Sequence, residues 1–178
     1  MQKEFENLKN EFKQFKNASP GDKLTMVIFS GELDKIMAAM IIAVGAMAMD
    51  MEVTLFFTFW GTSALRDPKK KVKGKDLMSR LFGFMLPNGR SKLKLSNMNM
   101  MGLGTKMLKR LMKKKNIMSL EDLFKQAGEL GVKISICEMS MNLMGFKPEE
   151  IIDYPHLEYC GVGTFLIEAE ESKVQLFI

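Results

Sequence analysis

Two cysteines, one histidine and five prolines are all that 178 residues hold of these types. Two cysteines do not make the disulfide framework of a small secreted domain, and a chain of this length buries a core without covalent staples. With no secretory leader recognisable at the N-terminus, the expected setting is a reducing cytoplasm. Cys137, Cys160 and His156 lack any Cys-x-x-Cys or His-x-x-x-His spacing, so no metal site is expected. Long apolar runs are missing too. The longest, Ile36 to Met49, stops at Asp50 and Glu52, short of the roughly 20 residues a membrane-spanning helix needs. It reads as a buried helix whose Met37, Met40, Met47 and Met49 fill a core rather than bind metal. A complete dinucleotide fingerprint is also absent. Gly102-x-Gly104 and Gly161-x-Gly163 are fragments, and neither opens the first strand-to-helix turn, so no cofactor is expected.

Positive charge is present and unevenly spread. Residues 66–115 carry sixteen Lys or Arg against Asp67 and Asp76, whereas the rest of the chain is net acidic. Within this stretch, Met100 to Lys115 reads as one amphipathic helix. Met101, Met107, Leu108, Leu111 and Met112 form its apolar side, with Lys106, Lys109, Arg110, Lys113, Lys114 and Lys115 around it. Four uses fit: a solvated face, a dock for an acidic partner, contact with an anionic membrane surface, or nucleic acid binding. Phe82 and Phe84 do not interleave with the lysines as a base-stacking platform would, so partner or membrane contact ranks above nucleic acid.

The remainder alternates strand and helix. Apolar spacing over residues 3–17 predicts an N-terminal helix ended by Ser19-Pro20-Gly21. Leu24 to Phe29 is a buried strand, the Met-rich helix follows, and Glu52 to Phe59 is a β-branched and aromatic second strand. A basic helical insertion occupies about 66–115, including a short helix over Asp76 to Phe84. Ser119 with Asp122 three residues on forms a capping pattern for a helix ending near Leu130-Gly131. Strands at Val132–Ile136, His156–Tyr159 and Val174–Ile178 complete the set, with a helix to about Glu171 before the last. The expectation is an α/β fold: a three-layer α/β/α sandwich with a mainly parallel sheet of about five strands, in one domain over 22–178.

Four turns then gather at one sheet edge: Ser30-Gly31-Glu32, Trp60-Gly61-Thr62, Cys137-Glu138-Met139 and Cys160-Gly161-Val162. Ligands and chemistry collect at the carboxyl edge of such sheets. Two of the four turns hold the only cysteines. Helix-initial N–H groups favour a thiolate at Cys137, while Glu138 opposes it; a buried structural cysteine fits the position equally well. Neighbouring strands lie about 4.8 Å apart, so Cys137 and Cys160 could also pair. One working thiol, a redox pair and two structural residues all remain open at this level. A dyad with the lone His156 is the weaker alternative.

Several blocks carry a family resemblance: Ser30-Gly31-Glu32-Leu33-Asp34-Lys35, Phe56-Phe57-Thr58-Phe59-Trp60-Gly61, Lys92 to Met100, Cys137 to Gly145, and Glu168 to Ser172. In that order they resemble the larger single-chain branch of the DsrE/DsrF-like sulfur relay family, often labelled peroxiredoxin-like, over residues 22–178. The resemblance implies a homo-oligomer that carries sulfane sulfur as a cysteine persulfide between rhodanese-like and TusA-like proteins. It places the carrier thiol on Cys137 of Cys-x-Met-Ser-Met, with Ser140 and the backbone at Met139 supporting the anion. Ser30, Gly31, Trp60 and Gly161 would shape the pocket, and Lys109, Arg110, Lys113, Lys114 and Lys115 the docking face. Cys160 stands where the family pattern has a small residue, so the resemblance implies no general two-cysteine mechanism. The rival expectations are an interaction module that docks acidic proteins or a membrane surface, and a thiol redox protein using Cys137 and Cys160.

Overall fold

The computed structural model describes residues 6, 21–70, 72 and 77–178. The N-terminal helix expected over 3–17 lies, apart from Glu6, outside the described residues. Five strands build the sheet: β1 (Gly21–Ile28), β2 (Glu52–Phe57), β3 (Lys133–Cys137), β4 (Leu157–Cys160) and β5 (Ser172–Phe177). They lie in the order β4-β3-β2-β1-β5 and every pairing is parallel. The helices are α1 (Leu33–Met47), α2 (Leu77–Met85), α3 (Leu103–Lys114), α4 (Leu120–Leu130), α5 (Glu138–Met144) and α6 (Val162–Glu170). They flank the sheet in a three-layer α/β/α sandwich.

Period-two alternation sorts the strand residues onto two unlike faces. Leu24, Met26, Ile28, Val53, Leu55, Phe57, Ile134 and Ile136 form the floor of the main core, against Ile36, Met40 and Ala43 of α1 and Leu123, Phe124 and Ala127 of α4. Burying one such aliphatic or aromatic side chain stabilises by about 1.5–3 kcal/mol. The other face carries Thr25, Thr54, Phe56, Ser135 and Cys137, a smaller and more polar set under α6. Ser119 and Asp122 make the expected reciprocal cap of α4. Gly131 ends that helix at φ 92°, a left-handed conformation suited to glycine.

Three local expectations change. The Met-rich helix is buried on one side only, with Ile41 and Ile42 facing out, because nothing covers its far face among the described residues. The turn at Trp60 is a 3₁₀ helix, Phe59–Leu65. The basic helix starts at Leu103, because Met101 and Gly102 take positive φ and break it from a 3₁₀ turn at Met100–Gly102. Its apolar side divides as well. Thr105 and Met112 are buried and Leu108 is half-buried against the body, whereas Leu103, Met107 and Leu111, at i, i+4 and i+8, form a stripe exposed to solvent. Among the described residues, no helix is long and apolar enough to cross a membrane.

The insertion is tied down at several points. Leu33 N–H donates to the Lys94 carbonyl, Ser96 N–H donates to the Asp34 carboxylate, and Leu93 is buried in the main core. Its positive charge is also partly met from outside. Arg66 pairs with Glu150, Lys70 with Asp153 and Arg90 with Glu121.

The candidate thiol site at the carboxyl edge of the sheet

The chain leaves β3 and β4 toward opposite sides of the sheet. From β3 it enters α5, whose Met141 and Met144 join the main core; from β4 it enters α6, whose Phe165 packs on the other face. Divergence between adjacent parallel strands opens the crevice where such sheets bind ligands. The last residues of these two strands are Cys137 and Cys160, and they are register partners.

Both thiols are free and buried, Cys137 at 3% exposure and Cys160 at 8%. They pack with Phe56 and Phe165, whose rings stack at 4.9 Å. Neighbouring strands lie about 4.8 Å apart, within the Cα separation a disulfide spans. One pleat earlier on the same face, Ser135 and Glu158 are also register partners, and the Ser135 hydroxyl donates to Glu158 Oε1 at 2.8 Å. Lys133 Nζ closes the block with Glu158 at 3.1 Å and Glu168 of α6 at 3.0 Å. Burial would depress the Lys133 pKa, but its bonds to Glu168 and Glu158 outweigh that and raise it. Burial pushes the Cys160 thiol up, and the Glu158 charge adds to the effect, while the Ser135 hydroxyl works against it.

Cys137 also stands at the N-cap of α5 with extended backbone, its side chain making no capping bond. Ser140, fully buried, shares a 2.8 Å hydrogen bond with Thr58 and so ties α5 to the end of β2. Met139 is exposed in the first turn of α5, and Gly161 starts α6 in open space. These residues gather at the corner. Ser30, Gly31 and Trp60 lie farther along the same edge. Ser30 accepts from Lys35 Nζ, and Gly31 and Trp60 line a separate cleft of about 700 Å³ with Phe84, Lys92 and Lys94. Lys109, Arg110, Lys113, Lys114 and Lys115 are exposed on and just after α3, which packs over the α1 and α4 layer, across the sheet from the thiols. His156 precedes β4, at the end of that strand remote from Cys160, so it forms no dyad with a thiol.

Sequence reasoning missed Ser135, Glu158, Lys133 and the paired Phe56 and Phe165. A signal for the first two was available, since each stands two residues before a strand-terminal cysteine and so shares its face.

A parallel α/β sheet with two free thiols side by side where its connections diverge defines a thiol-bearing protein of the open-sheet class. The chain belongs to the DsrE/DsrF/DrsH-like family, whose profile matches residues 20–177. It is 47% identical over 156 residues to YrkE of Bacillus subtilis (strain 168), covering 88% of this chain and 96% of that one. It is 34% identical over 160 residues to the sulfur carrier protein DsrE2 of Allochromatium vinosum, covering 88% and 98%.

Proposed function

We propose that this protein is a sulfurtransferase-like sulfur carrier that holds sulfane sulfur as a persulfide on Cys137 and relays it to partner proteins. The observation that supports this best is the place of Cys137 at the diverging corner, at the head of α5, in a chain related to a protein named as a sulfur carrier. In the first step the Cys137 thiolate attacks a donor's sulfane sulfur, and the donor's remaining fragment leaves with the bonding pair. In the second, an acceptor thiolate attacks the outer sulfur of the persulfide and Cys137 returns as thiolate. The stored sulfur would sit at the N-terminal end of α5, beside the helix-initial N–H groups of Met139 and Ser140. The Phe56 and Phe165 rings keep water and stray thiols from the stored sulfur. A partner therefore has to displace the first turn of α6, where a Cβ on Gly161 or Gly163 would meet nothing within 4 Å among the described residues.

TusA-like and rhodanese-like proteins fit the roles of acceptor and donor in the cytoplasm. The exposed Val162, Leu166 and Ile167 of α6 offer an apolar face for assembly of a homo-oligomer beside the site. A second reading, an interaction module docking an anionic surface, draws on the exposed stripe of α3 flanked by Lys106, Arg110, Lys113 and Lys114. Intact-mass analysis after incubation with polysulfide tests the carrier. Wild type should gain sulfur, fragment mapping should locate it on Cys137, and Cys137→Ser should gain none there. A wild type that gains none, or loads only Cys160, overturns the assignment.

A further inference from the structure

Cys160 has no part in the relay just described, yet it ends the neighbouring strand in register with Cys137, on the same face and under the same two rings. Beneath the pair lies a second register pair, Ser135 and Glu158, joined by a hydrogen bond. The four side chains form a two-by-two block: two thiols at the sheet edge, a hydroxyl and a carboxylate one pleat in.

The geometry points to Cys160 as a discharging thiol, which converts sulfane sulfur held on Cys137 into hydrogen sulfide by closing a Cys137–Cys160 disulfide, with Glu158 and Ser135 setting how readily it does so. The inference rests on the persulfide assignment and deepens it. In the step, Cys160 loses its proton and its thiolate attacks Cys137 Sγ of Cys137–S–SH. The bond between Cys137 Sγ and the outer sulfur breaks, and the outer sulfur leaves with the electron pair as HS⁻. Two thiol sulfurs are oxidised to a disulfide, and the sulfane sulfur takes up the same two electrons. The proton from Cys160 ends on sulfide or water. An external dithiol then restores both thiols by ordinary exchange.

The groups around Cys160 give this step a brake and a release. Glu158 on its own strand opposes the thiolate by charge; Cys137 across the register does the same when ionised. Lys133 favours the thiolate, but Glu158 and Glu168 of α6 hold that cation. Ser135 has one hydroxyl proton. It donates that proton to Glu158 while Cys160 is a thiol, and an ionised Cys160 is the competing acceptor. Glu158 and Ser135 are positioning residues with opposite signs. Glu158→Gln removes the opposing charge, keeps a carbonyl for Ser135 and loosens Lys133, so it speeds discharge. Ser135→Ala removes the donor to the thiolate and slows it.

The test uses the full chain, loaded with polysulfide, desalted and held without oxygen or an acceptor, while released sulfide and intact mass are followed across pH. Wild type is expected to release one sulfide per loaded chain and to end two hydrogens lighter than the dithiol, with the Cys137–Cys160 link found by nonreducing fragment mapping. Cys160→Ser keeps the added sulfur and releases no sulfide. Glu158→Gln discharges about threefold faster for each unit its thiol midpoint falls, the tenfold gain in thiolate being partly offset by weaker nucleophilicity. Its pH profile moves down, and that of Ser135→Ala moves up. General loosening of the fold would move both variants the same way, and that result overturns the roles of Glu158 and Ser135. Loaded wild type that keeps its sulfur, releases it equally well without Cys160, or passes it to Cys160 without a disulfide, overturns the discharge and leaves the carrier assignment standing. A chain that never loads sinks both.

Discussion

Arg66 opens the basic segment of the sequence, yet it is buried at 7% exposure and faces Glu150 at 4%. Nη2 lies 3.4 Å from Glu150 Oε2, Nη1 donates to the Gly83 and Pro87 carbonyls, and the guanidinium carbon sits 4.8 Å from the Phe146 ring centroid. The backbone reinforces the joint, since Asp67 N–H donates to the Glu150 carbonyl. Burial pulls the Arg66 pKa down, and the Glu150 charge and hydrogen bond offset part of that. Arg66→Met preserves most of the volume but removes the guanidinium that faces the buried Glu150 carboxylate. Breaking a buried pair from one side costs about 3–5 kcal/mol. For a chain of this length, each kcal/mol shifts Tm by about 2–4 °C, so a fall of roughly 6–20 °C is expected. Glu150→Gln should cost less, about 1–3 kcal/mol, because Arg66 keeps two carbonyl acceptors and the ring. The double variant should lose clearly less than the sum, since the two groups contact each other directly. Urea denaturation of the four proteins closes the cycle. Additivity within about 0.5 kcal/mol, or a loss below about 1 kcal/mol for Arg66→Met, would refute the argument.

Alkaline stability follows from Tyr154, whose hydroxyl donates to the Val132 carbonyl at 2.8 Å and whose burial raises its pKa. Above pH about 10 the unfolded chain releases this proton while the native state keeps it, so stability should fall as pH rises. Lys133, also raised, adds in the same direction. Tyr154→Phe should flatten part of that decline, at a cost of about 1 kcal/mol near neutrality, as urea midpoints at several pH values would reveal. Two glycine substitutions should act with opposite sign. A Cβ at Gly61 would sit 2.2 Å from the Ile28 carbonyl oxygen, whereas one at Gly45 in α1 meets nothing within 4 Å. Thermal melts should show Gly61→Ala losing at least about 1–3 kcal/mol and Gly45→Ala gaining about 0.5–1 kcal/mol. Finally, if α3 docks an anionic surface, Lys113→Gln with Lys114→Gln should weaken binding to anionic vesicles by about 2 kcal/mol, roughly thirtyfold. An unchanged vesicle sedimentation curve would remove α3 from that role.

Much of the layer structure was legible because it rests on short-range physics. The runs at β1, β2 and β3, the cap at Ser119 and the stop at Gly131 all express local propensity and period. The basic helix was harder. An apolar side chosen by composition merged two stripes, because helical spacing alone does not tell which stripe meets the body. Charge counting along the positive segment likewise does not show that carboxylates distant in sequence, Glu150, Asp153 and Glu121, meet three of its cations.

By itself the sequence determined that strands and helices alternate, and that both cysteines end strands. Those properties follow from side-chain alternation and turn chemistry within a few residues. Tertiary structure alone decided that β3 and β4 are neighbours in a register that sets Cys137 beside Cys160, with Ser135 and Glu158 beneath them. Strand order and register depend on which faces can be buried together across the whole chain. The α1 and α4 layer fills one side of the sheet and α6 the other, so the two thiols meet where the chain changes sides.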